Sequence, residues 1–350
     1  MFKLLYLPYL AQREVLGFFD PIQIVEFSLL SRRARRIAQG PIISKDITVD
    51  ISNFSPRRYI AVHFQSCEYY FRIFGCNNKK PRKCYLNGFV TGRRDDNARD
   101  EYGESIISFD SYWDEEQNGL TEMVKYISVL FNYPKARNVL LGFHNLPLTQ
   151  WIIEKMAEKV ENYQIRNSDG NVSHADMETH LNSCKSAYDR IYLTLNTSRD
   201  FQYNFDFNAR QLTMNYSNWM TSNHIVQLSD QVESLVLSET YSTNQDLNKF
   251  LKYWLSIRTK IKMCKLVAFP ENLKIDELFQ GITTVPRENP ESYIIITAPL
   301  GTKVRVDGQF DIYREDGAKA TIFAAPVDHR APFSMYIWPT ERKTDKISVL

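Results

Sequence analysis

The sequence lacks a strong net charge. Its 43 Lys and Arg residues nearly balance 41 Asp and Glu residues, which leaves the 350-residue chain a formal net charge of +2. Such a balance provides no extended positive field for holding a polyanion. We therefore do not expect nucleic acid as a partner.

Cysteine is also scarce. The five cysteines are odd in number and widely spaced, a pattern that fits neither a disulfide framework nor a zinc knuckle. They are Cys67, Cys76, Cys84, Cys184 and Cys264. The sequence therefore predicts no metal site built on thiolates.

Long apolar runs are missing as well. The apolar segment Met1 to Leu10 is interrupted by Pro8 and is followed directly by Arg13 and Glu14, unlike the core of a signal peptide. No later stretch reaches the ~18 apolar residues of a membrane span. We expect an intracellular protein, in the cytoplasm or the nucleus, with no membrane association.

Motifs for catalysis and cofactor binding are absent. The chain has no phosphate-binding loop, dinucleotide glycine fingerprint, His-Glu-x-x-His sequence or nucleophile elbow. His174 and His180 are separated by five residues, which does not place them on one face of a helix. The sequence therefore predicts no catalytic residue, no cofactor and no metal, and the protein is not expected to be an enzyme.

The first forty residues, by contrast, have a specific pattern. Pro8 lies where a helix can begin, because the first helical turn does not use that amide. Asp20 and Pro21 indicate a stop and a restart, and a basic third segment, Ser31 to Ile37, ends before Gly40 and Pro41. Large apolar residues recur at helical spacing: Leu7, Leu10, Val15, Leu16 and Phe19, then Ile24, Val25, Phe27, Leu29 and Leu30.

Three helices this short cannot bury so many large apolar side chains among themselves. Some of these side chains must pack either on the rest of this chain or in the groove of a partner. Both alternatives remain open on the pattern alone.

The order of these residues is similar to an F-box. The resemblance covers about residues 4–42 and consists of Leu7-Pro8, Val15-Leu16, Asp20-Pro21 and Ser28-x-x-Ser31-Arg32. It implies binding to the Skp-type adaptor of cullin–RING ubiquitin ligases. The adaptor-binding residues that it implies are Leu7, Pro8, Leu10, Val15, Leu16, Phe19, Ile24 and Phe27.

After Pro41 the apolar period changes to that of strands. Alternating residues at 47–51, 59–64 and 69–74 predict a short antiparallel meander. Residues 76–119 are polar with charges of both signs, and we interpret them as a long surface excursion.

From about Leu120 helices and strands alternate. Several helix–strand units repeat at ~25–30 residues, the range of helix–strand solenoid repeats. The helices are predicted at 121–131, 148–160, 175–185, 223–228 and 244–255, and the strands at 138–143, 163–165, 191–195, 234–237 and 262–269. Residues 201–207 and 211–216 are predicted to form a hairpin.

The last part of the chain predicts an antiparallel closing sheet. Its strands are expected at 293–297, 303–306, 310–314, 318–323 and 333–338. Asp307-Gly308 and Asp316-Gly317 are typical of hairpin turns between such strands.

A second resemblance spans about residues 200–340. Trp219-x-x-Ser222-Asn223-His224, Asp246-Leu247-Asn248-x-Phe250-Leu251-x-x-Trp254 and Asp311-Ile312-x-Arg314-x-Asp316-Gly317 are similar to the F-box-associated type 2 domain of nematode F-box proteins. This resemblance implies a domain that recognises a target protein. We interpret Trp219, Trp254 and Trp338 as core residues, and His224 as a capping or packing residue near a helix start.

The sequence thus predicts a mixed α/β fold. A three-helix F-box is expected at 1–42, a strand meander and polar excursion at 43–120, and a recognition domain similar to a leucine-rich repeat at 121–350, with antiparallel strands at both ends. The hypotheses for function are a substrate receptor of an SCF-type ubiquitin ligase, an adaptor-binding protein without a role in ubiquitylation, and an enzyme with an unrecognised site. The predicted partners are a Skp-type adaptor, through it a cullin–RING ligase, and an unidentified target protein.

Overall fold

The computed structural model has the predicted mixed α/β architecture, with N-terminal helices followed by a region of parallel and antiparallel strands. It describes residues 4–39, 47–54, 57–75, 85–86, 89–99, 105–156, 160–268, 274–287, 294–297, 303–306, 309–324 and 331–338. Cys76, Cys84, Gly40-Pro41 and Asp307-Gly308 lie outside these residues. Among the helices it describes, none combines the length and the apolar composition needed to cross a bilayer.

The chain divides into two compact units. Unit 1 comprises Met1–Arg166 and Thr179–Tyr188, and unit 2 comprises Asn167–Glu178 and Asp189–Leu350. The predicted boundaries at residues 42 and 120 concern sequence modules rather than compact units, and they stay predictions.

Unit 1 begins with short helices whose ends are capped as the sequence predicts. A 3-10 turn at Leu4–Tyr6 is followed by α1 (Tyr9–Leu16), α2 (Pro21–Leu29) and α3 (Arg32–Ala38). The Asp20 side chain accepts a hydrogen bond from the Gln23 amide at 2.8 Å, and the Gln23 side chain accepts one from the Asp20 amide at 3.0 Å. Ser31 caps α3 by accepting from the Ala34 amide at 3.1 Å. These caps satisfy amides that the first helical turn leaves without a partner, so the start of each helix is determined by local sequence.

The remainder of unit 1 is a sheet covered by helices. Its elements are β1 (Thr48–Phe54), β2 (Arg57–Phe64), β3 (Cys67–Gly75), β4 (Tyr85–Leu86), β5 (Phe89–Arg99), β6 (Ser105–Trp113), α4 (Glu116–Leu130), β7 (Lys135–Gly142), α5 (Leu146–Lys155) and the first half of β8 (Val160–Asn171). The strand order is β8-β7-β1-β2-β3-β6-β5-β4. The antiparallel meander β1-β2-β3 is confirmed, whereas β1 with β7, β7 with β8, and β3 with β6 are parallel pairs. Alternate residues such as Ile51, Val62 and Phe71 are buried, which gives the sheet one apolar face.

The predicted polar surface excursion at 76–119 is wrong over β4, β5 and β6, which are paired strands of the sheet. Strand β6 pairs in parallel with β3 and antiparallel with β5. Phe109 and Trp113 on β6 are buried. The period-two alternation of β6 was present in the sequence, but the high polarity of its other side chains concealed it. Those polar side chains find partners on the neighbouring strand, since the Arg72 guanidinium donates two hydrogen bonds, at 2.7 and 2.8 Å, to the Asp110 carboxylate.

The boundary between the two units falls within α6 (His174–Cys184) and again within β9 (Ala187–Asn196). Unit 2 continues with β10 (Gln211–Asn215), α7 (Ser222–Ser229), β11 (Ser234–Thr240), α8 (Asn244–Ser256), β12 (Met263–Ala268), α9 (Ile275–Leu278), β13 (Val285–Pro286), β14 (Ile294–Thr297), β15 (Lys303–Val306), β16 (Phe310–Tyr313), β17 (Lys319–Ala324) and β18 (Ala331–Ile337). The helix–strand alternation is therefore confirmed at the level of its elements.

The sheet of unit 2 has the order β13-β16-β17-β18-β12-β11-β10-β9. Strands β9 to β12 are parallel, and β12, β18, β17, β16 and β13 pair antiparallel, as predicted for the closing end. Strands β14 and β15 pair only with one another among the described residues, so they are not part of the predicted closing sheet. Buried residues align across the parallel strands in rows such as Ile191, Leu212, Leu235 and Cys264.

The predicted hairpin of 201–207 with 211–216 is wrong. Both edges of β10 are occupied by parallel neighbours, β9 and β11, so β10 has no edge left for a hairpin partner. Residues 201–209 have no regular structure, and the side-chain amides of Gln227 and Gln231 supply the hydrogen bonds that a partner strand would have made to their backbone. The alternating Phe201, Phe205 and Phe207 are buried, so the period-two pattern reflects packing of an irregular segment.

The tryptophan and His224 predictions are largely confirmed. Trp219 and Trp254 are buried, whereas Trp338 is only partly buried and donates from its indole nitrogen to Thr321 Oγ1 at 2.8 Å. His224 lies in the first turn of α7, and its Nδ1 accepts a hydrogen bond from the Thr221 amide at 3.1 Å. His224 is therefore a capping residue.

This cap predicts a loss of stability in acid. Burial lowers the pKa of His224 below its ordinary value of 6.5, and the bond from Thr221 requires an unprotonated Nδ1. Because the folded pKa lies below the unfolded one, the contribution of the cap is complete above pH ~6.5 and is lost as the pH falls through the lowered pKa. We expect the unfolding midpoint of the parent to fall more steeply below pH ~6.5 than that of His224→Gln. Glutamine preserves the capping-box geometry without titrating. Identical pH profiles for the two proteins, measured by thermal denaturation, would contradict this assignment.

Candidate functional site

The N-terminal helices expose unusually large apolar side chains. Among the described residues, the four most exposed large hydrophobic side chains all belong to the first thirty positions, with Phe18 at 89% and Leu10 at 71% of full exposure. This set, which we call the exposed N-terminal apolar residues, comprises Tyr6, Tyr9, Leu10, Phe18 and Leu30. Large apolar side chains that are exposed together in one short segment are candidates for contact with a partner.

The eight predicted adaptor-binding residues separate into three groups by burial. Pro8 and Leu10 are exposed, Leu7, Val15 and Phe19 are half-buried, and Leu16, Ile24 and Phe27 are buried. The Phe19 and Phe27 rings meet edge to face with centroids 6.3 Å apart. In this chain the buried residues hold the helices together, and the exposed ones are accessible to a partner.

Sequence reasoning missed Tyr6, Tyr9, Phe18 and Leu30 as candidate contacts. Phe18 and Leu30 lie just beyond the last residues of α1 and α2, where the helical period no longer assigns a face. The exposure of Phe18 and Leu30 therefore depends on how the helices pack, which periodicity does not specify.

The N-terminal helices are anchored to α4 within unit 1. The Ser28 hydroxyl lies 2.6 Å from the Tyr126 hydroxyl and donates to the Val25 carbonyl at 2.7 Å, so Tyr126 supplies the proton of the contact between them. The Arg35 guanidinium lies 4.6 Å from the centre of the Tyr126 ring. Burial raises the pKa of Tyr126, which keeps its hydroxyl protonated as a donor. The helices are thus held against α4 through both α2 and α3.

Unit 2 presents a second surface on its sheet. Tyr192, Thr213, Val236 and Lys265 stand in register on β9 to β12, and they alternate with the buried rows. Lys265 is exposed and the other three are partly exposed. Nearby, Asn215 donates to the Tyr192 hydroxyl at 2.8 Å. We call these four residues the open sheet row, and it has both polar and apolar side chains.

Two of the three cysteines among the described residues are unsuited to nucleophilic chemistry, whereas the third, Cys67, is exposed. Cys184 and Cys264 are buried, and burial raises the pKa of both thiols far above neutral pH. A protonated, inaccessible thiol is inert as a nucleophile.

Comparison with known families decides the nature of the N-terminal helices. Residues 4–45 match the F-box domain. The chain carries an F-box domain at its N-terminus. F-box domains bind the Skp-type adaptor of SCF ubiquitin ligases, so the chain has the general role of an F-box adaptor-binding protein.

Two nematode proteins are similar to most of this chain. The first is the Skn-1 dependent zygotic transcript 15 protein of Caenorhabditis elegans, which is 21% identical over 333 residues, covering 92% of this chain and 93% of the relative. The second, also from Caenorhabditis elegans and described by its name only as uncharacterized, is 20% identical over 355 residues, covering 99% of this chain and 79% of the relative. The similarity thus extends beyond the F-box through both units.

Proposed function

We propose that this chain is the substrate-recognition subunit of an SCF-type cullin–RING ubiquitin ligase and is not itself an enzyme. The F-box domain binds the Skp-type adaptor, and the part of the chain after it binds a target protein. The observation that carries this proposal is the coincidence of the F-box match with the exposed N-terminal apolar residues, which need a partner to cover them.

The mechanism is positional. Holding a target on the same assembly as a charged conjugating enzyme raises the effective concentration of its lysines without any catalytic group from this chain. Within unit 1, the anchoring of the F-box helices to α4 through Tyr126 gives the adaptor-binding helices a fixed attachment. The site of action is intracellular, in the cytoplasm or the nucleus.

For the recognition part, the proposal rests on the resemblance of residues 200–340 to the F-box-associated type 2 domain. Trp219 and Trp254, two residues of that resemblance, are packed in the core of unit 2, and His224 caps α7. Their roles are structural, which leaves the open sheet row as the surface of unit 2 that we assign to target binding.

The adaptor-binding step is tested by calorimetry between the full chain and a Skp-type adaptor. Leu10→Glu removes an exposed apolar contact and introduces a charge, so we expect it to weaken adaptor binding by at least about thirtyfold, as for a central interface residue. Because Leu10 is exposed, the fold should be unchanged by circular dichroism. Tyr313→Glu, a comparable change at an exposed residue of unit 2, is the matched control and should bind as the parent does.

The outcomes separate the hypotheses for function. Absence of adaptor binding by the folded parent would contradict the receptor proposal. Adaptor binding without any ubiquitin transfer to interacting proteins, in a reconstituted ligase containing the cullin, would favour the alternative of an adaptor-binding protein outside ubiquitylation.

A further inference from the structure

The amino-terminal ends of the parallel strands in unit 2 carry a row of charged residues. Asp189 lies near the start of β9, and Arg210, Glu233 and Lys262 immediately precede β10, β11 and β12. Backbone hydrogen bonds fix this alignment, with the Glu233 amide donating to the Arg210 carbonyl at 2.8 Å and the Lys262 amide donating to the Glu233 carbonyl at 2.7 Å. The row is therefore part of the sheet framework rather than of a loose loop.

Within this row the bases face solvent and the acids lie beneath them. Arg210 and Lys262 are 44% and 50% exposed, and Arg190, which follows Asp189, is 51% exposed, against 17% for Asp189 and 27% for Glu233. Glu233 Oε2 lies 3.4 Å from Arg210 Nη2 and 3.0 Å from Lys262 Nζ, so one carboxylate orients two bases. An approaching molecule meets positive charge first.

The neighbouring segment increases this excess of positive charge. Residues 249–265 contain six basic residues and no acidic one. Lys260, in the turn before β12, is exposed, and no described acidic side chain forms an ion pair with it. Asp230, an acid two positions before Val232, accepts a hydrogen bond from the Tyr253 hydroxyl at 2.6 Å. We call Arg190, Arg210, Lys260 and Lys262 the basic rim.

From this charge distribution we infer that the basic rim binds an acidic, extended segment of the target protein. The inference rests on the proposed function, in that the bound segment belongs to a recognised target. Electrostatic complementarity at such a rim steers encounter and selects partners by charge. The local excess of exposed positive charge, on a chain whose overall charge is nearly balanced, is the observation that favours an acidic peptide.

The spacing of the rim specifies a pattern in the peptide. Arg210 and Lys262 immediately precede β10 and β12, whose backbones lie two strand spacings, or roughly 10 Å, apart, and both side chains turn toward Glu233 between them. A polyproline-II segment has three residues per turn and rises ~3.1 Å per residue, so side chains three residues apart share one side at ~9 Å. Once a peptide displaces Glu233, acidic residues at every third position match the two backbone positions from which Arg210 and Lys262 extend.

Glu233 competes with the peptide for the same two bases. Exposed ion pairs contribute little net stability, so a peptide carboxylate can share or replace the contacts of Glu233 at low cost. Removing the Glu233 charge should strengthen peptide binding, whereas removing the charges of Arg210 and Lys262 should weaken it. These opposite changes in peptide affinity distinguish a charge-selective site from general damage to the surface.

The test uses the full chain and a fluorescein-labelled synthetic peptide in which Glu recurs at every third position between Ala and Pro. Fluorescence anisotropy is measured at low salt for the parent, Arg210→Gln/Lys262→Gln and Glu233→Gln. We expect the double variant to bind about tenfold more weakly and Glu233→Gln about threefold more tightly than the parent, with all affinities falling as salt is added. Lys274→Gln, which removes an exposed base of unit 2 that pairs with Glu277 at 2.8 Å, is the matched control and should bind as the parent does.

Equal affinity of the parent and the folded double variant would overturn the inference. So would equal binding of a single-stranded oligonucleotide, which would reveal a general anion surface. A peptide with phosphoserine in place of Glu is compared with the Glu peptide. Tighter binding of the phosphoserine peptide indicates a phosphorylated target segment, and equal or weaker binding indicates a carboxylate-rich one. The double variant is also titrated with the Skp-type adaptor. If the double variant keeps adaptor binding but loses peptide binding, the basic rim is supported. If the parent itself does not bind the adaptor, the proposed function is contradicted and the basic rim is not affected.

Discussion

Replacing Trp254 with Ala is expected to lower the free energy of unfolding of the unit that contains α8 by about 3–5 kcal/mol. Trp254 is among the largest fully buried side chains described, and it lies on the face of α8 that also buries Leu247, Phe250 and Leu251. Alanine would leave a cavity the size of an indole in a region where the surrounding side chains are already close-packed. The effect exceeds that expected of any surface substitution in this protein.

The loss also affects Arg314. Its guanidinium lies 5.1 Å from the centre of the Trp254 ring and donates to the Ile257 carbonyl at 3.0 Å. It also holds the Asp316 carboxylate, and this contact lowers the pKa of Asp316 to about 2. Removing the indole therefore removes one of the contacts that connect the end of α8 to the β16–β17 turn.

Urea denaturation followed by circular dichroism measures this effect. Ile257→Ala, at the exposed residue just after α8, is the control and should change the free energy of unfolding by less than about 0.5 kcal/mol. Adaptor binding by Trp254→Ala should remain at the parental level under native conditions, because the F-box belongs to unit 1. A loss below about 1 kcal/mol would show that the indole does not support the core of unit 2.

Replacing Gly119 with Ala should destabilise the protein, although alanine is the better helix former. Gly119 lies inside α4, where a Gly-to-Ala change by itself stabilises a helix by about 1 kcal/mol. Here an added Cβ would collide with the Trp113 ring, whose Cγ and Cδ atoms are its nearest neighbours. The ring is buried and its indole nitrogen donates to Ser111 Oγ at 3.0 Å, so it has little freedom to move away. We expect a net loss of about 1–3 kcal/mol, as for overpacked cores.

A double-mutant cycle identifies the ring as the cause. Trp113→Leu alone should destabilise by removing buried surface, but Gly119→Ala added to Trp113→Leu should then be neutral or stabilising. The coupling between the two sites should be about 1–3 kcal/mol, measured by thermal or urea denaturation. Additive effects of the two substitutions would contradict a direct clash.

Several features of the F-box and of unit 2 were predictable from local sequence. Asp20 and Ser31 cap their helices through contacts three residues away, and the Asp316-Gly317 turn places Gly317 at a φ of +83°, which favours glycine. Each of these interactions involves residues close together in the chain. The Leu7-Pro8 to Arg32 order likewise predicted the F-box domain that the comparison confirms.

The candidate surfaces were less predictable. Eight adaptor-binding residues followed from the family pattern, but the pattern does not separate the exposed Leu10 from the buried Ile24. The Ser28–Tyr126 contact joins residues 98 positions apart, and no periodicity reports it. The basic rim likewise appears only when strands β9 to β12 are set side by side.

By itself, the sequence determined the helix ends, the alternation of buried strand residues, the F-box and the mixed α/β class, because these depend on caps, turns and periods within a few residues. Only the tertiary structure decided that β6 joins β3, that residues 201–209 are irregular, and that Gly119 must accommodate Trp113. Strand partners and close packing depend on which sheet edges and volumes remain unoccupied after distant segments have assembled. That competition is a property of the whole fold, and no local pattern records its result.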